Sequence, residues 1–551
     1  MEGEQSLRAL SDEYFDFYVE SYPEMATVVG LHTFDDRLTR YDRASIDKQV
    51  RAFRGFKRRA EELLSAGGLS TTASIDARLI ASNCEIQVLE IEKMMKPWVD
   101  PTLYIEMSLY GLFLLVSREV VPVEKRANSV AGRLREFARV LVEAKQNLEN
   151  PPSIFTRTAL GMLKGADAFV KETVRHFGDS LAGARSELES SSTICIEAMR
   201  DFETYLENDL LPRSNGDFAI GRDLFETKLR VQHMLDVDTK TLEKMGRALL
   251  LETKEQIEHL SNELHPGKNW RDVIEALKEH HPDASMLRSE YEEHMRKARE
   301  FVLAKDLVPI PAGEELTVID TPSFERGTIP YAAYVSPGPF DEKQEGLFFV
   351  TPVDTSAPIE VQREQLKGHS YASMVLTALH EGYPGHHLQF IHSNRVPTKL
   401  RHLCGNTVFA EGWALYCEEL MKEAGFYRSR EVELFQLKDM LWRAARVVVD
   451  VGLHTKSMSF DEAVEFLISE ALIERPNAVA EVRRYTNSPS QPSSYAVGKA
   501  EVLALRDGEK QRLGPNFNLS RFHEKLLSSG TIPFKLVKEE LGAKDESSRE
   551  K

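Results

Sequence analysis

Apolar residues recur at three- and four-residue spacing through most of this chain, and that periodicity commits it to a largely helical body. The pattern runs through 5–20, 46–65, 76–95, 124–149 and 152–176. It returns from Asp223 to Leu264, where a break around Asp236–Thr239 separates two helices ahead of Pro266–Gly267. It lapses between about 305 and 355. There Leu307–Pro311, Leu316–Ile319, Ala332–Ser336 and Leu347–Thr351 are short β-prone runs punctuated by Pro, Gly and Asp, as expected of a small sheet inserted into a helical protein. Helical spacing resumes near Arg363 and is interrupted most clearly by the loop Thr486–Ser494. The expected fold class is mainly α with a small inserted β-sheet. A working division gives an N-terminal helical region, 1–220, and a second region, 221–551, holding the sheet and the most informative helices at about 363–422.

Length and charge exclude some functions. With 551 residues, 42% of them apolar, the chain can bury a large core. Its net charge of −17 repels phosphate backbones and anionic membranes, which disfavours nucleic-acid and membrane-surface partners. The N-terminus lacks a basic start followed by an apolar run, and no stretch approaches the roughly 18–20 apolar residues of a membrane span, so a cytoplasmic protein is expected. Cys84, Cys195, Cys404 and Cys417 form no C-x-x-C pair and read as buried thiols. Oligomeric state is not legible.

The segment with most chemistry is Thr377-Ala-Leu-His-Glu-Gly-Tyr-Pro-Gly-His-His387. The common zinc helix, H-E-x-x-H, sets two histidines one turn apart with a glutamate as general base. Here His380 precedes His386 by six residues and His387 by seven. On an ideal helix six residues turn about 600°, leaving His386 about 120° off the face of His380, while seven return to the face about 10 Å further on. A regular helix cannot make the site. Pro384 lacks the N–H that would bond the carbonyl of His380, and Gly385 can take backbone angles other residues cannot. A widening there that absorbs two residues would restore the H-E-x-x-H relation. His386 is favoured over His387, with Glu381 as general base. Glu411, 25 residues after His386, is the candidate third ligand, and Glu418, two turns on, could fix the tautomer of a liganding histidine. The bland alternative is a surface His-Glu pair or buried histidines satisfied by carbonyls, and spacing alone leaves the two readings level.

HEGYPGHHLQ followed by FAEGWALYCE resembles a broad family known only as a domain of unknown function, itself near the zinc peptidases whose third ligand is glutamate. The resemblance extends to SYPEMATVVGLHTFDDRL (21–38), LWRAARVVVDVGLH (441–454), EVRRYTNSPSQPSSYAVGKAE (481–501) and LGPNFNLSRFHEKLLSSGTIP (513–533), and so covers nearly the whole chain. A looser similarity points to the thimet-oligopeptidase and helical carboxypeptidase groups. The resemblance implies a gluzincin-like helical body with a deep cleft, a zinc ion on His380, His386 and Glu411, and a tyrosine in a segment like Ser494–Lys499 that polarises the substrate carbonyl. The Pro-Gly insertion departs from those peptidases and leaves the catalytic alignment open.

The resulting expectation is a zinc-dependent metallopeptidase cleaving short peptides, with a non-peptide amide or amino-acid conjugate as the rival substrate and a non-catalytic peptide-binding scaffold as the non-enzyme reading. Tyr495 is the first candidate to stabilise the oxyanion and Tyr485 the second. Arg443, Arg446, Asp450 and His454 share one helix face. They read either as a salt-bridge ladder or as a cleft wall in which Asp450 orients a catalytic His454 and an arginine holds a substrate carboxylate. Arg483 and Arg484 are rival clamps. The strand Leu347–Thr351 is a candidate substrate edge, with Gly346 permitting close approach.

Overall fold

The computed structural model describes residues 2–321, 326, 329 and 331–549. Long helices at Glu2–Ser21, Arg43–Ala66, Thr71–Glu92, Pro101–Ser117, Val123–Asn147, Ser153–Ser180 and Arg185–Tyr205 make up most of the first 210 residues. Local chemistry sets their starts: the side chains of Asp42 and Ser70 accept hydrogen bonds from the backbone N–H groups of Ser45 and Ala73 at 3.0 and 3.4 Å. After Arg222–Val231, Asp238 caps Thr239–Leu264 by accepting from the N–H of Thr241 at 2.8 Å.

Side-chain burial organises these helices into cores. One core lies wholly between Leu38 and Leu210 and includes Leu112, Leu134, Phe137 and Phe202. A second joins the chain's two ends, since Leu10, Phe53 and Ile80 pack with Trp413, Tyr416 and Leu541. A third runs along Thr239–Leu264 and Arg430–His454 and includes Ile257, Leu441, Val449 and Tyr485. Burying each of the large apolar side chains in these cores contributes about 1.5–3 kcal/mol. All four cysteines are buried and unpaired. No single helix among the described residues is long and apolar enough to cross a membrane.

The inserted sheet has three strands, β1 (Glu314–Asp320), β2 (Ala332–Val335) and β3 (Gln344–Val350), in the order β1-β3-β2. β1 runs parallel to β3 and β2 antiparallel to it, with Val318 and Tyr334 both opposite Phe348. Two expectations change here. Leu307–Pro311 is no strand: the N–H of Leu307 closes the preceding helix on the carbonyl of Val302 at 3.1 Å, and its own carbonyl accepts from Nδ1 of His523 at 2.7 Å. The run Leu347–Thr351 supplies the central strand rather than an edge, so both sides of its backbone are already paired. One sheet face packs Val318, Phe348 and Val350 on Tyr291, Met295 and Met374, against the elements that carry the histidines. The other face lines a cavity of about 750 Å³ with Arg118 and His176.

Candidate metal centre

The broken helix has a definite form. Ser370 caps Tyr371–Thr377, which then widens into a π-turn at Ala378–Gly382, where the N–H of Tyr383 reaches the carbonyl of Ala378 at 3.2 Å. Tyr383 is extended, the Tyr383–Pro384 bond is cis, and a new helix begins at His386. The N–H of Gly385 bonds the carbonyl of Leu379 at 3.0 Å. A Cβ on Gly385 would lie 1.9 Å from the carbonyl oxygen of His380, so no other residue fits without moving the backbone. By this route the His380 and His386 rings meet with centroids 5.0 Å apart at 86°.

Glu411 arrives from Thr407–Glu423. That helix crosses Ser494–Leu513 at bare backbone, where a Cβ on Gly412 would meet the carbonyl carbon of Gly498 at 2.3 Å. Trp413 ties the same helix to the histidine turn, donating from Nε1 to the carbonyls of Pro384 and Gly385 at 3.0 and 3.3 Å. The Oε2 of Glu411 lies 3.8 Å from Nε2 of His380 and 3.5 Å from Nε2 of His386. The three ligand atoms lie within 4.8 Å of one another. Donors sharing one zinc at about 2.0–2.2 Å stand about 3.3–4 Å apart, so these side chains fit a metal.

The outer nitrogens strengthen that fit. Nδ1 of His380 donates to Oε1 of Glu418 at 2.9 Å, and Nδ1 of His386 donates to Oε1 of Gln389 at 3.2 Å. Each bond fixes the tautomer that leaves Nε2 turned inward. Gln389 is in turn held by its donation to Thr531 Oγ1 at 3.1 Å. Burial disfavours a charged His380, but its hydrogen bonds to Glu411 and Glu418 and the nearby charge of Glu381 outweigh that and push its pKa up to about 10. Burial likewise opposes a charged Glu411, yet His380 and His386 hold its carboxyl well below the usual carboxylate range. Glu381 sits on the π-turn beside His380 and forms no hydrogen bond or ion pair with another described residue.

His387 points away from the cluster. Its Nε2 donates to Oε2 of Glu314 at 2.7 Å, and its Nδ1 accepts from the Tyr334 hydroxyl at 3.1 Å. Glu314 also accepts from the hydroxyl of Tyr383 at 2.7 Å and from Nε of Arg299 at 2.9 Å. This buried network anchors the turn to β1 and β2. Gly346 belongs to it rather than to a substrate groove, because a Cβ there would lie 2.7 Å from Nδ1 of His387 and 2.8 Å from the Tyr334 oxygen. The sequence reading missed Gln389, which its place three residues after His386 on one helix face could have revealed; Glu314, 73 residues from its histidine, carried no local signal.

The remaining candidates divide. The Tyr495 ring lies nearly parallel to His380, centroids 6.4 Å apart, and its hydroxyl makes no hydrogen bond to another described residue. Burial and the charge of Glu411 raise its pKa against three nearby arginines. Tyr485 is fully buried in the third core, its oxygen accepting from Nε of Arg446 at 2.8 Å and Nε1 of Trp442 at 3.3 Å, so it is a packing anchor and not an oxyanion donor. His454 is also buried, donating from Nε2 to the carbonyl of Tyr485 at 3.0 Å and stacked on Phe225, so the catalytic role expected of it does not hold. Asp450 does not clamp it either: its carboxylate accepts from the N–H of Ser490 and from both the N–H and hydroxyl of Ser493, fastening the loop that leads into Tyr495. Arg484 is committed to Gln491 and Glu481 at 2.7 and 3.0 Å, and Arg483 is exposed.

Fold and cluster together define a mostly helical protein with a small inserted sheet and a two-histidine, one-glutamate group assembled across a broken helix. The chain belongs to the family described as "Bacterial protein of unknown function (DUF885)", which matches residues 23–541. No curated protein matches it. Two solved structures share its fold. One, "a putative lipoprotein of unknown function from Shewanella oneidensis", is 24% identical with a TM-score of 0.79, covering 97% of this chain and 98% of its own. The other, "the putative lipoprotein from Colwellia psychrerythraea", is 19% identical with a TM-score of 0.83, covering 99% of both chains. These relatives correct the cytoplasmic expectation: both are described as putative lipoproteins, a class that is membrane-anchored or secreted, and neither the negative charge nor the lack of a single membrane-crossing helix among the described residues weighs against that location.

Proposed function

We propose that this protein is a zinc-dependent hydrolase of amide bonds acting on short peptides, lipid-anchored or secreted as its lipoprotein relatives are described. The observation that carries the reading is the convergence of His380, His386 and Glu411, with each imidazole oriented from behind by its own hydrogen-bond partner. Two imidazoles and a carboxylate suit zinc. Zinc bound there would supply Lewis acidity toward a carbonyl and a water acidic enough to react near neutral pH.

The chain's own residues supply the rest. Glu381, adjacent to His380 and without a hydrogen-bond or ion-pair partner among the described residues, takes the proton of the attacking water and returns it to the leaving amine. Tyr495, whose ring stacks beside His380 and whose hydroxyl bonds no other described residue, donates to the developing oxyanion. β2 is the edge beside the histidine turn. Because Thr351 donates to the carbonyl of Tyr331 at 2.8 Å, alternation turns the backbone groups of Ala332 and Tyr334 away from β3, where an extended peptide can pair with them.

The test is metal stoichiometry together with peptide cleavage. Chelator-stripped protein should recover one zinc per chain and cleave members of a short-peptide library read by mass spectrometry. Glu381→Gln should keep the zinc and lose cleavage. Failure to take up zinc sinks the reading, and zinc uptake without cleavage of any peptide shifts the substrate to a non-peptide amide.

A further inference from the structure

Arg443 and Arg446 stand out in a chain of net charge −17, because both are largely buried beside the candidate metal centre and neither is fully paired. The guanidinium of Arg446 lies between two rings, with Cζ 4.1 Å from the centre of Trp442 and 4.5 Å from that of Tyr495. Its Nε donates to Tyr485 and its Nη2 to Glu481, at 2.8 and 3.1 Å. Arg443, one turn earlier, stacks over the same two rings at 5.2 and 5.9 Å. Its nearest acid, Asp439, is 3.7 Å away and is shared with Lys438 at 3.3 Å. Among the described residues its one hydrogen bond is a long one, 3.4 Å from Nη1 to the carbonyl of Asp439, and its buried Nε has no partner there.

Two N–H edges are therefore left over. Nη2 of Arg443 and Nη1 of Arg446 make no hydrogen bond to a described residue, and neither is among the atoms sealed from solvent. Both guanidinium groups are held rigidly by stacking, so the entropy of ordering them is already spent in the folded protein. A planar, fixed pair of donors of this kind matches a carboxylate. Tyr495 links them to the reaction centre: its ring is 6.4 Å from that of His380 and 4.5 Å from Cζ of Arg446. At about 3.3–3.6 Å per extended residue, those contacts in series span one to three residues of substrate.

We propose that Arg443 and Arg446 form a carboxylate subsite, so that the preferred substrate carries a carboxylate within three residues of the scissile amide. This rests on the hydrolase reading for its meaning but not for its test. Arg484 contributes at a distance by sharing Glu481 with Arg446, which keeps that acid from filling the subsite.

The test uses full-length Glu381→Gln protein, with and without added zinc, and calorimetric binding of three probes: an N-acetylated alanine tripeptide with a free C-terminal carboxylate, the same peptide as its C-terminal amide, and an amidated peptide with one glutamate side chain. The free-acid or glutamate probe should bind about tenfold or more tightly than the neutral amide. Which of the two does so tells whether the carboxylate comes from the main chain or a side chain. The preference should vanish in Arg443→Gln and weaken in Arg443→Lys, which keeps the charge and loses the fork. Equal binding of all three probes, no binding of any, or a preference that survives Arg443→Gln overturns the subsite. Cleavage by the unsubstituted enzyme separates the two claims. Hydrolysis of amidated and free-acid peptides at equal rates leaves the hydrolase and removes the subsite, whereas selective binding without cleavage leaves the subsite and removes the peptidase.

Discussion

Nδ1 of His380 and Oε1 of Glu418 are 2.9 Å apart, and that bond lies behind the candidate metal centre, on the side away from Glu411. Glu418 is buried and its second oxygen has no partner among the described residues, so its carboxylate is directed at one imidazole. Glu418→Gln keeps an acceptor at this position but removes the charge that makes His380 a stronger ligand. Zinc affinity, measured by competition with a chromophoric chelator, should fall about 10–100-fold with the fold intact. Unchanged affinity would mean that Glu418 merely fills space.

The neighbouring histidines should separate cleanly. His386→Ala removes a proposed ligand and should abolish stoichiometric zinc binding, while in metal-free protein His380 is still there to pair with the Glu411 carboxylate. His387→Ala should keep zinc binding but destabilise the fold by about 3 kcal/mol in denaturant titration, because Glu314 would lose the imidazole that helps hold its buried carboxylate ionised. The reverse pattern would exchange their assignments.

Tyr495 and Tyr485 make a second contrasting pair. Tyr495→Phe should lower kcat much more than it changes KM, with zinc content unaffected, as expected of a donor used only in the transition state. Tyr485→Phe should leave the zinc site intact and cost about 1–3 kcal/mol of stability, because it strands Nε of Arg446 without its acceptor. A larger kcat loss for Tyr485→Phe would reverse the two roles.

Local chemistry made much of this molecule readable. Helical spacing located many of the helices, though not Pro101–Ser117, Arg185–Tyr205 or Leu287–Ala304, and the impossibility of a regular helix at His380–His386 announced the break that Pro384 and Gly385 impose. Glu411 and Glu418 could be read because both lie on one short helix at fixed spacing from a recognisable segment. What stayed hidden was set by tertiary contacts. The helix-face pattern of Arg443, Arg446, Asp450 and His454 is real, but burial turned His454 toward a carbonyl and Asp450 toward the loop at Ser490–Ser493. Strand order was equally invisible: a β-prone run reads alike whether central or at an edge, so β3 was given a role that only an edge strand such as β2 is free to take. The Glu314–His387–Tyr334 network joins three distant segments, and no periodicity connects them.

Buried histidines set how the protein responds to acid. Burial holds His369, His454 and His523 down to about 4 and His233 to about 3, whereas in the unfolded chain each titrates near 6.5. Between those values the unfolded state binds more protons than the folded state, so stability rises with pH. Their contribution is present above about pH 6.5 and is lost as pH falls toward 4. Asp450 acts in the opposite sense: burial pushes its pKa up to about 7, so its contribution is present below about pH 4 and lost as pH rises through 7. His294 and His402, also held down to about 4, add to the histidine side, and His32 and His380, raised to about 9 and about 10, add to the Asp450 side, so the depressed histidines remain the larger set over the shared window. Metal-free protein should therefore show a lower Tm at pH 5 than at pH 7 in scanning calorimetry, and His454→Gln, which can still donate to the Tyr485 carbonyl, should flatten that slope without removing it. A Tm that rises on acidification from pH 7 to 5 would mean that Asp450, rather than the histidines, governs the response.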